Sequence, residues 1–226
     1  MIARVLIIAG SDSGGGAGIE ADIKTISALG GYGCTAITAL TAQNTIGVFG
    51  VHVLPAEFVA LTIRTVLADI GADAIKIGML ANAEIVYAVA EALPAGLPAV
   101  LDPVMIATSG ASLLAPEAMA AMRDCLIPRA TLITPNLPET AALTGILPRT
   151  PQDFQAAGQA LLRLGAAAVL IKGGHAEGGM LTDYLITAAG TETFTMPRIP
   201  TRNTHGTGCT LSAAIATGLA QNMTLS

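Results

Sequence analysis

Met1-Ile2-Ala3-Arg4-Val5-Leu6-Ile7-Ile8-Ala9-Gly10-Ser11-Asp12-Ser13-Gly14-Gly15-Gly16-Ala17-Gly18-Ile19-Glu20-Ala21-Asp22 opens the chain with an apolar run, a glycine-rich turn and the start of a helical pattern. The apolar run lacks the length and the small-residue cleavage site of a signal peptide and reads as a first buried strand. Its glycines let the backbone approach a ligand closely. The same rhythm then repeats down the chain. Further strands are expected at Thr35–Leu40, Ala74–Ile77, Ala99–Asp102, Leu132–Thr134 and Val169–Ile171, after the first at Val5–Ala9. Helices are expected at Ile19–Leu29, Glu57–Leu67, Ala83–Leu93, Pro116–Cys125, Thr150–Leu164 and Gly208–Gly218. Continuous apolar strands separated by helices predict an α/β fold: a mostly parallel sheet covered on both faces, with ligands at the carboxyl ends of the strands. Leu181–Thr187 and Thr193–Met196 flank Ala188-Ala189-Gly190 and predict a hairpin, an antiparallel edge.

Composition narrows the chemistry. At 226 residues the chain suits one α/β domain, and no Pro/Ser-rich or charged linker divides it. Charged residues are 12% and aromatic residues 3%, with no Trp, so neither a phosphate-tracking groove nor a stacking platform for nucleic acid is expected. The net charge of −5 argues against an anionic membrane surface and leaves any phosphate site to backbone groups and a few placed cations. The uncharged stretch from Thr25 to Ala56 and the tail from Gly206 are interrupted by Thr, Ser, Gln, Asn and Gly, so both read as buried segments and no membrane partner is expected. Cys34, Cys125 and Cys209 have no CxxC pairing and no metal-ligand spacing with histidine, which suits a reducing, cytoplasmic location without structural zinc.

The loops after the strands carry the polar residues. A loose GxGxxA at Gly16, Gly18 and Ala21 lacks the acidic residue that a dinucleotide fold places about 20 positions on, and no Gly-Lys pair exists for a P-loop. Gln43-Asn44 ends the second strand, where an amide pair reads donor and acceptor edges of a small heterocycle or shapes a turn. Asp102 serves a metal or caps its loop. Asn136 and Glu139, three apart on a helix's first turn, fit a ligand site or a cap equally well. Lys172, just past a buried strand and before two glycines, is placed to neutralise a phosphate, whereas His175 reads as structural. In Asn203-Thr204-His205-Gly206-Thr207-Gly208-Cys209-Thr210, small residues run into an Ala/Leu-rich helix, leaving free N–H groups and a dipole for an anion. Cys209 in that field is a nucleophile with His205 nearby, a small core residue, or a group that deprotonates or stabilises an attacking alcohol.

Seven blocks in one order resemble the hydroxymethylpyrimidine/phosphomethylpyrimidine kinases of thiamine biosynthesis, in the ribokinase-like superfamily. They are Gly10–Asp22, Thr38–Thr45, Lys76–Leu80, Leu101–Met105, Thr134–Glu139, Lys172–His175 and Asn203–Cys209, and they span nearly the whole chain. The resemblance implies a three-layer α/β/α sandwich and ATP-dependent phosphorylation of 4-amino-5-hydroxymethyl-2-methylpyrimidine and then of its monophosphate. It implies that Gly10, Ala17, Asp22, Gln43, Met79 and Val104 line the pyrimidine pocket, with Asp22 and Gln43 reading the ring nitrogens and hydroxymethyl group. Lys172, Asn136, Thr204 and Thr207 would meet the nucleotide phosphates, and Asp102, Asn136 and Glu139 would position Mg²⁺ through water. Gly206, Thr207 and Gly208 would form the anion hole, with Cys209 where sugar kinases of the superfamily carry a catalytic Asp. A monovalent cation and a homodimer belong to the same expectation.

Two departures stand out. Ser13 replaces a Pro found in many relatives, a change expected to loosen the first loop. Gly218–Ser226 reads as a helix stop and a new N-cap, whereas relatives continue into one or two helices around the adenine, so a partly open nucleotide side is expected. The rival readings are a pyridoxal or pyridoxine kinase and a non-catalytic pyrimidine sensor.

Overall fold

The computed structural model describes residues 2–105, 115–175, 179–201 and 203–225, so Met1 and Ser226 of the stretches read above fall outside it. The strands are β1 (Arg4–Asp12), β2 (Tyr32–Gln43), β3 (Val48–Val53), β4 (Ala74–Ile77), β5 (Ala99–Leu101), β6 (Leu132–Ile133), β7 (Ala168–Ile171), β8 (Met180–Thr187) and β9 (Gly190–Pro197). The helices are α1 (Gly18–Ala28), α2 (Ala56–Asp69), α3 (Ala83–Ala92), α4 (Pro116–Ala121), α5 (Leu137–Thr144), α6 (Pro151–Arg163) and α7 (Thr207–Ala220). All nine strands form one sheet in the order β3-β2-β1-β4-β5-β6-β7-β8-β9. The six from β2 to β7 are parallel, while β3, β8 and β9 pair antiparallel. Antiparallel strands therefore border both edges, not the one edge expected.

The unforeseen edge follows from a turn. Asn44 Oδ1 accepts the N–H groups of Ile46 and Gly47, and the Asn44 N–H donates to the Gly47 carbonyl, so β2 folds back into β3. Gly50 interrupts the Val and Phe residues of β3, and the strand is largely exposed, so no buried apolar run marks it.

Alternating side chains divide the core into two layers. Leu6, Ile8, Ile75, Ile77, Leu101, Ile133, Val169 and Ile171 face α2, α3 and α6, while Val5, Ile7, Ala74, Val100, Leu132 and Ala168 face α1 and α7. Helix α7 turns Ser212, Ala213, Ala216, Thr217 and Ala220 inward, and these small side chains let it lie close to the sheet. Gly218 does not end that helix as expected. It continues to Ala220, and the chain reverses at Asn222 with φ 63°. The Pro116–Cys125 helix is α4 followed by a π turn at Met122–Leu126 and a short 3₁₀ turn at Ile127–Arg129, whose Pro128 cannot donate to a longer helix. No helix among the described residues is long and apolar enough to cross a membrane.

The chain leaves β1 for β2 on one side and returns through β4 on the other. Strand order thus reverses between β1 and β4, and a crevice opens above their carboxyl ends. Gly10, Asp12 and Met79 stand there.

Candidate active site

Asp12 organises the first loop. Its carboxylate accepts the N–H groups of Gly14 (2.8 Å), Gly16 (3.0 Å) and Ala17 (2.8 Å), and His205 Nε2 lies 2.8 Å from Oδ2. Burial would raise its pKa, but the His205 contact and the three amides outweigh it and hold the carboxyl below its usual range. Glu20, in the first turn of α1, accepts from Ser11 Oγ (2.6 Å) and from the Asp12 N–H (2.7 Å), which anchors the loop to the helix. Ser13 does not loosen this loop as expected. Its hydroxyl donates to the Gln43 carbonyl and accepts the Gln43 N–H, each at 2.8 Å, so a side chain with a polar group adds a tie that Pro cannot make. Gln43 also reaches His205, with the amide nitrogen 3.2 Å from Nε2. Its neighbour Asn44 has gone to the turn, so the Gln-Asn pair divides between a site and a fold role. Met79 lies over Gly10, where an added Cβ would stand 3.0 Å from its Sδ.

Beneath this crevice lies a fully buried ion pair. Lys76 Nζ is 2.7 Å from Asp22 Oδ2, with both side chains at 0% exposure. Burial raises the Asp22 carboxyl to about 6 even against the pull of Lys76, so it is ionised at neutral pH. Burial opposes the charge of Lys76 as well, but the carboxylates of Asp22 and Asp102 overcome it and keep the lysine protonated. Asp22 Oδ1 has no hydrogen-bond partner among the described residues, although it is buried. An unsatisfied carboxylate oxygen in such a place is costly unless a ligand completes it.

Cys209 is the third residue of α7. Burial pushes its thiol up; Lys76 pulls the other way, Asp102 and Asp22 push further up, and the Gly18 N–H donates to the sulfur. The free protein therefore carries a thiol, because desolvation exceeds whatever the helix terminus contributes. Gly206 precedes the helix at φ 77°, and a Cβ there would fall 1.8 Å from the Gly16 carbonyl oxygen. The phosphate-type turn thus packs directly on the first loop. Among the described residues no side chain caps the helix, and Thr207 Oγ1 turns back to the Thr204 carbonyl at 3.0 Å, leaving the N-terminus open to an anion.

On the other side of that N-terminus, Lys172 Nζ sits 2.9 Å from Asp102 Oδ1. A Cβ on Gly208 would stand 3.2 Å from this Nζ, so cation and helix end share one spot. Asp102 also faces Thr134 Oγ1 at 3.3 Å and Ser212 Oγ at 3.4 Å. Burial works against its charge, yet Lys172 and Lys76 hold its carboxyl below the usual range. Asn136 and Glu139 form a complete capping box on α5, each side chain accepting the other's N–H. Burial raises the Glu139 carboxyl to about 7, against Lys172 and with a push from Asp102. No group of three His, Cys, Asp or Glu that could hold a metal directly occurs among the described residues. Two buried carboxylates around one lysine nevertheless fit Mg²⁺, which binds through one or two carboxylates, water and substrate phosphates. Beside Lys172 and Gly208 a cleft of about 200 Å³ runs along Thr207, Leu211, Leu181, Asp183, Phe194 and Met196.

A family model described as phosphomethylpyrimidine kinase matches residues 12–226. The chain belongs to the phosphomethylpyrimidine kinase family. A Salmonella typhimurium hydroxymethylpyrimidine/phosphomethylpyrimidine kinase is 54% identical over 216 residues, covering 94% of this chain and 81% of the relative. A crystal structure of phosphomethylpyrimidine kinase from Clostridium difficile superposes with TM-score 0.86 at 43% identity, covering 99% of this chain and 93% of the other. Pyridoxal kinase from Staphylococcus aureus, in complex with AMP-PCP and pyridoxal, reaches TM-score 0.90 at 34% identity, covering 99% and 82%.

Of the positions expected from the family, Gly10, Ala17, Gln43 and Met79 meet around the end of β1, and Val104 follows Asp102 at the end of β5. Lys172, Asp102, Thr207, Gly208 and Cys209 gather at α7, with Asn136 and Glu139 one strand further on. Asp22 lies deeper than a pocket wall, and its Oδ1 is unpartnered among the described residues. The sequence assigns no role of their own to Asp12 or Lys76, and it offers His205 only as a nearby partner of Cys209, whereas the structure turns its ring to Asp12 and Gln43. A lysine in the apolar strand Ala74-Ile75-Lys76-Ile77 was the available signal, since a buried ammonium demands a buried carboxylate.

Proposed function

We propose that this chain transfers the γ-phosphoryl group of ATP to the hydroxymethyl oxygen of 4-amino-5-hydroxymethyl-2-methylpyrimidine, and then phosphorylates the monophosphate to the diphosphate, as a step of thiamine biosynthesis. The observation that carries the reading is the contact of Gly206 with Gly16, which sets the open N-terminus of α7 against the loop that holds Gln43. A ring bound beside Gln43, Met79 and Gly10, with a polar group meeting Asp22 Oδ1, would aim its hydroxymethyl arm at Cys209. Lys172 and the amides of Gly206, Thr207 and Gly208 would hold the transferring phosphoryl group, with Thr204 and Asn136 at its margin. Asp102, Glu139 and Asn136 would hold Mg²⁺ through water, and the ion when bound supplies charge neutralisation on the phosphates. The alcohol oxygen attacks phosphorus, the bond to the ADP oxygen breaks, and the alcohol proton passes to water beside Cys209. A protonated thiol is a poor base, so positioning and the fixed charges supply most of the rate. The cleft lined by Phe194 and Met196 suits the nucleoside of ATP.

Partners and location follow from the family reading. The protein would act in the cytoplasm, aided by a monovalent cation, and would associate as a homodimer. Phe49, Val51, Phe58 and Leu61, all exposed near the β3 edge, offer such a dimer its apolar surface.

ADP release measured with the free pyrimidine, its monophosphate and pyridoxal tests the reading. Turnover of both pyrimidines, faster than that of pyridoxal, is expected. Faster pyridoxal turnover would make the chain a pyridoxal kinase, and pyrimidine binding without ADP release would make it a sensor.

A further inference from the structure

An amide side chain offers an acceptor at one end and a donor at the other, so Gln43 can serve a ring in two opposite senses. The contacts around Asp12 select one of them. An ionised carboxylate only accepts, and Asp12 already takes three backbone N–H groups on its two oxygens. His205 Nε2, 2.8 Å from Oδ2, must therefore carry its proton and donate, because the other neutral tautomer would press a lone pair against a carboxylate. The same Nε2 stands 3.2 Å from the end of the Gln43 amide. An NH₂ group there would meet an N–H head on, whereas an oxygen there would accept a share of the proton that Asp12 receives.

We infer that His205, fixed in its tautomer by Asp12, is a positioning residue that keeps the Gln43 oxygen turned to itself and presents the Gln43 NH₂ as a donor to a ring nitrogen of the pyrimidine. The surroundings leave the amide little freedom to turn. Ser13 ties the Gln43 peptide from both its N–H and its C=O. The His205 ring lies on Gly16, where an added Cβ would come within 2.7 Å of Cδ2. His205 is also adjacent to Gly206, so the residue that orients the ring reader begins the turn that receives the phosphate. This inference rests on Gln43 being a substrate contact, and its test separates the two ideas.

ADP release is measured for His205→Phe, His205→Gln, Gln43→Leu, Gln43→Glu and the double variant His205→Phe/Gln43→Leu, varying pyrimidine at saturating ATP and the reverse. Loss of one neutral hydrogen bond predicts a rise of about tenfold in KM for the pyrimidine in His205→Phe, with KM for ATP within about twofold of the parent. His205→Gln, which keeps an N–H for Asp12 and Gln43, should recover most of the loss. In the Gln43→Leu background His205→Phe should add less than about twofold, because the amide it orients is gone. Gln43→Glu keeps an acceptor for His205 but has no donor for the ring, so it should raise pyrimidine KM about tenfold or more. This arm decides the matter even where His205→Phe fails to fold. Parent-like pyrimidine KM in Gln43→Glu, equal effects of His205→Phe on both substrates, or full additivity in the double variant would overturn the inference. An unchanged pyrimidine KM in Gln43→Leu would remove Gln43 from the pocket and the inference with it; a raised KM there with none in His205→Phe would sink the inference alone.

Discussion

Glu139 holds its proton in the folded protein to about pH 7, against 4.5 as its ordinary value, because burial outweighs the attraction of Lys172. A folded state that keeps a proton the unfolded chain has released is stabilised in acid. That contribution is complete below about pH 4.5 and is lost as pH rises to about 7. Glu139→Gln keeps an oxygen for the capping bond and cannot titrate. Thermal melts of the ligand-free protein should therefore show the parent's advantage over this variant shrinking steadily from pH 5 to pH 8, and a constant difference would refute the assignment. Cys209 poses a different question at the same scale. With its thiol pushed up by burial and so a poor base, Cys209 acts chiefly by positioning: Cys209→Ala should lower kcat by about tenfold and leave KM for ATP nearly unchanged, while Cys209→Ser loses less. Steady-state ADP release reads both, and parent-like kcat in the Ala variant would remove the thiol from the transfer step.

Elements bring these residues together through a close approach of backbone. At Gly206 a left-handed φ of 77° coincides with a hypothetical Cβ 1.8 Å from the Gly16 oxygen, so the start of α7 and the loop after β1 fit only without a side chain. Gly96 also has a positive φ, 85°, but nothing within 4 Å of the same position. The pair separates conformation from contact. Gly96→Ala should cost only the left-handed penalty of about 1–2 kcal/mol, with activity intact. Gly206→Ala should cost more in urea unfolding and also abolish most turnover, because the turn and the loop must separate. Equal losses in the two variants would show that the contact is unimportant. The carboxyl end of β2 teaches a related point about legibility. Gln43 was readable as a polar residue at a strand end, but its division of labour with Asn44 was not. Only the β3 pairing, largely exposed and interrupted by Gly50, reveals Asn44 as the turn.

At the scale of the whole molecule, a charge pair sits where the two core layers meet the site. Lys76 belongs to β4, on the face that α1 and α7 cover, and Asp22 comes from α1. Removing one partner leaves the other buried and uncompensated. Lys76→Met should lower stability by about 3–5 kcal/mol in urea unfolding, and Lys76→Met/Asp22→Leu should recover much of that loss. A single variant as stable as the parent would mean that water reaches the pair.

The succession of the parallel strands was determined by the sequence alone, because buried parallel strands must be continuously apolar and the helices between them must carry one apolar face, whereas the exposed β3 left no such mark. Ala74–Ile77 falls at its expected bounds, and α7 starts within one residue of its expected place. The seven motif blocks likewise placed Gln43, Lys172, Asp102 and Cys209 at strand and helix ends. Tertiary structure alone decided what each of those groups faces. His205 reaches Asp12 across 193 positions of chain, Lys76 reaches Asp22 across 54, and Lys172 reaches Asp102 across 70. Such partners are set by which carboxyl ends lie side by side in the sheet, and no local pattern records that adjacency. The state of the Cys209 thiol is of the same kind. The sequence shows a helix terminus that lowers its pKa, while packing supplies the burial and the two carboxylates that raise it further than the helix can offset.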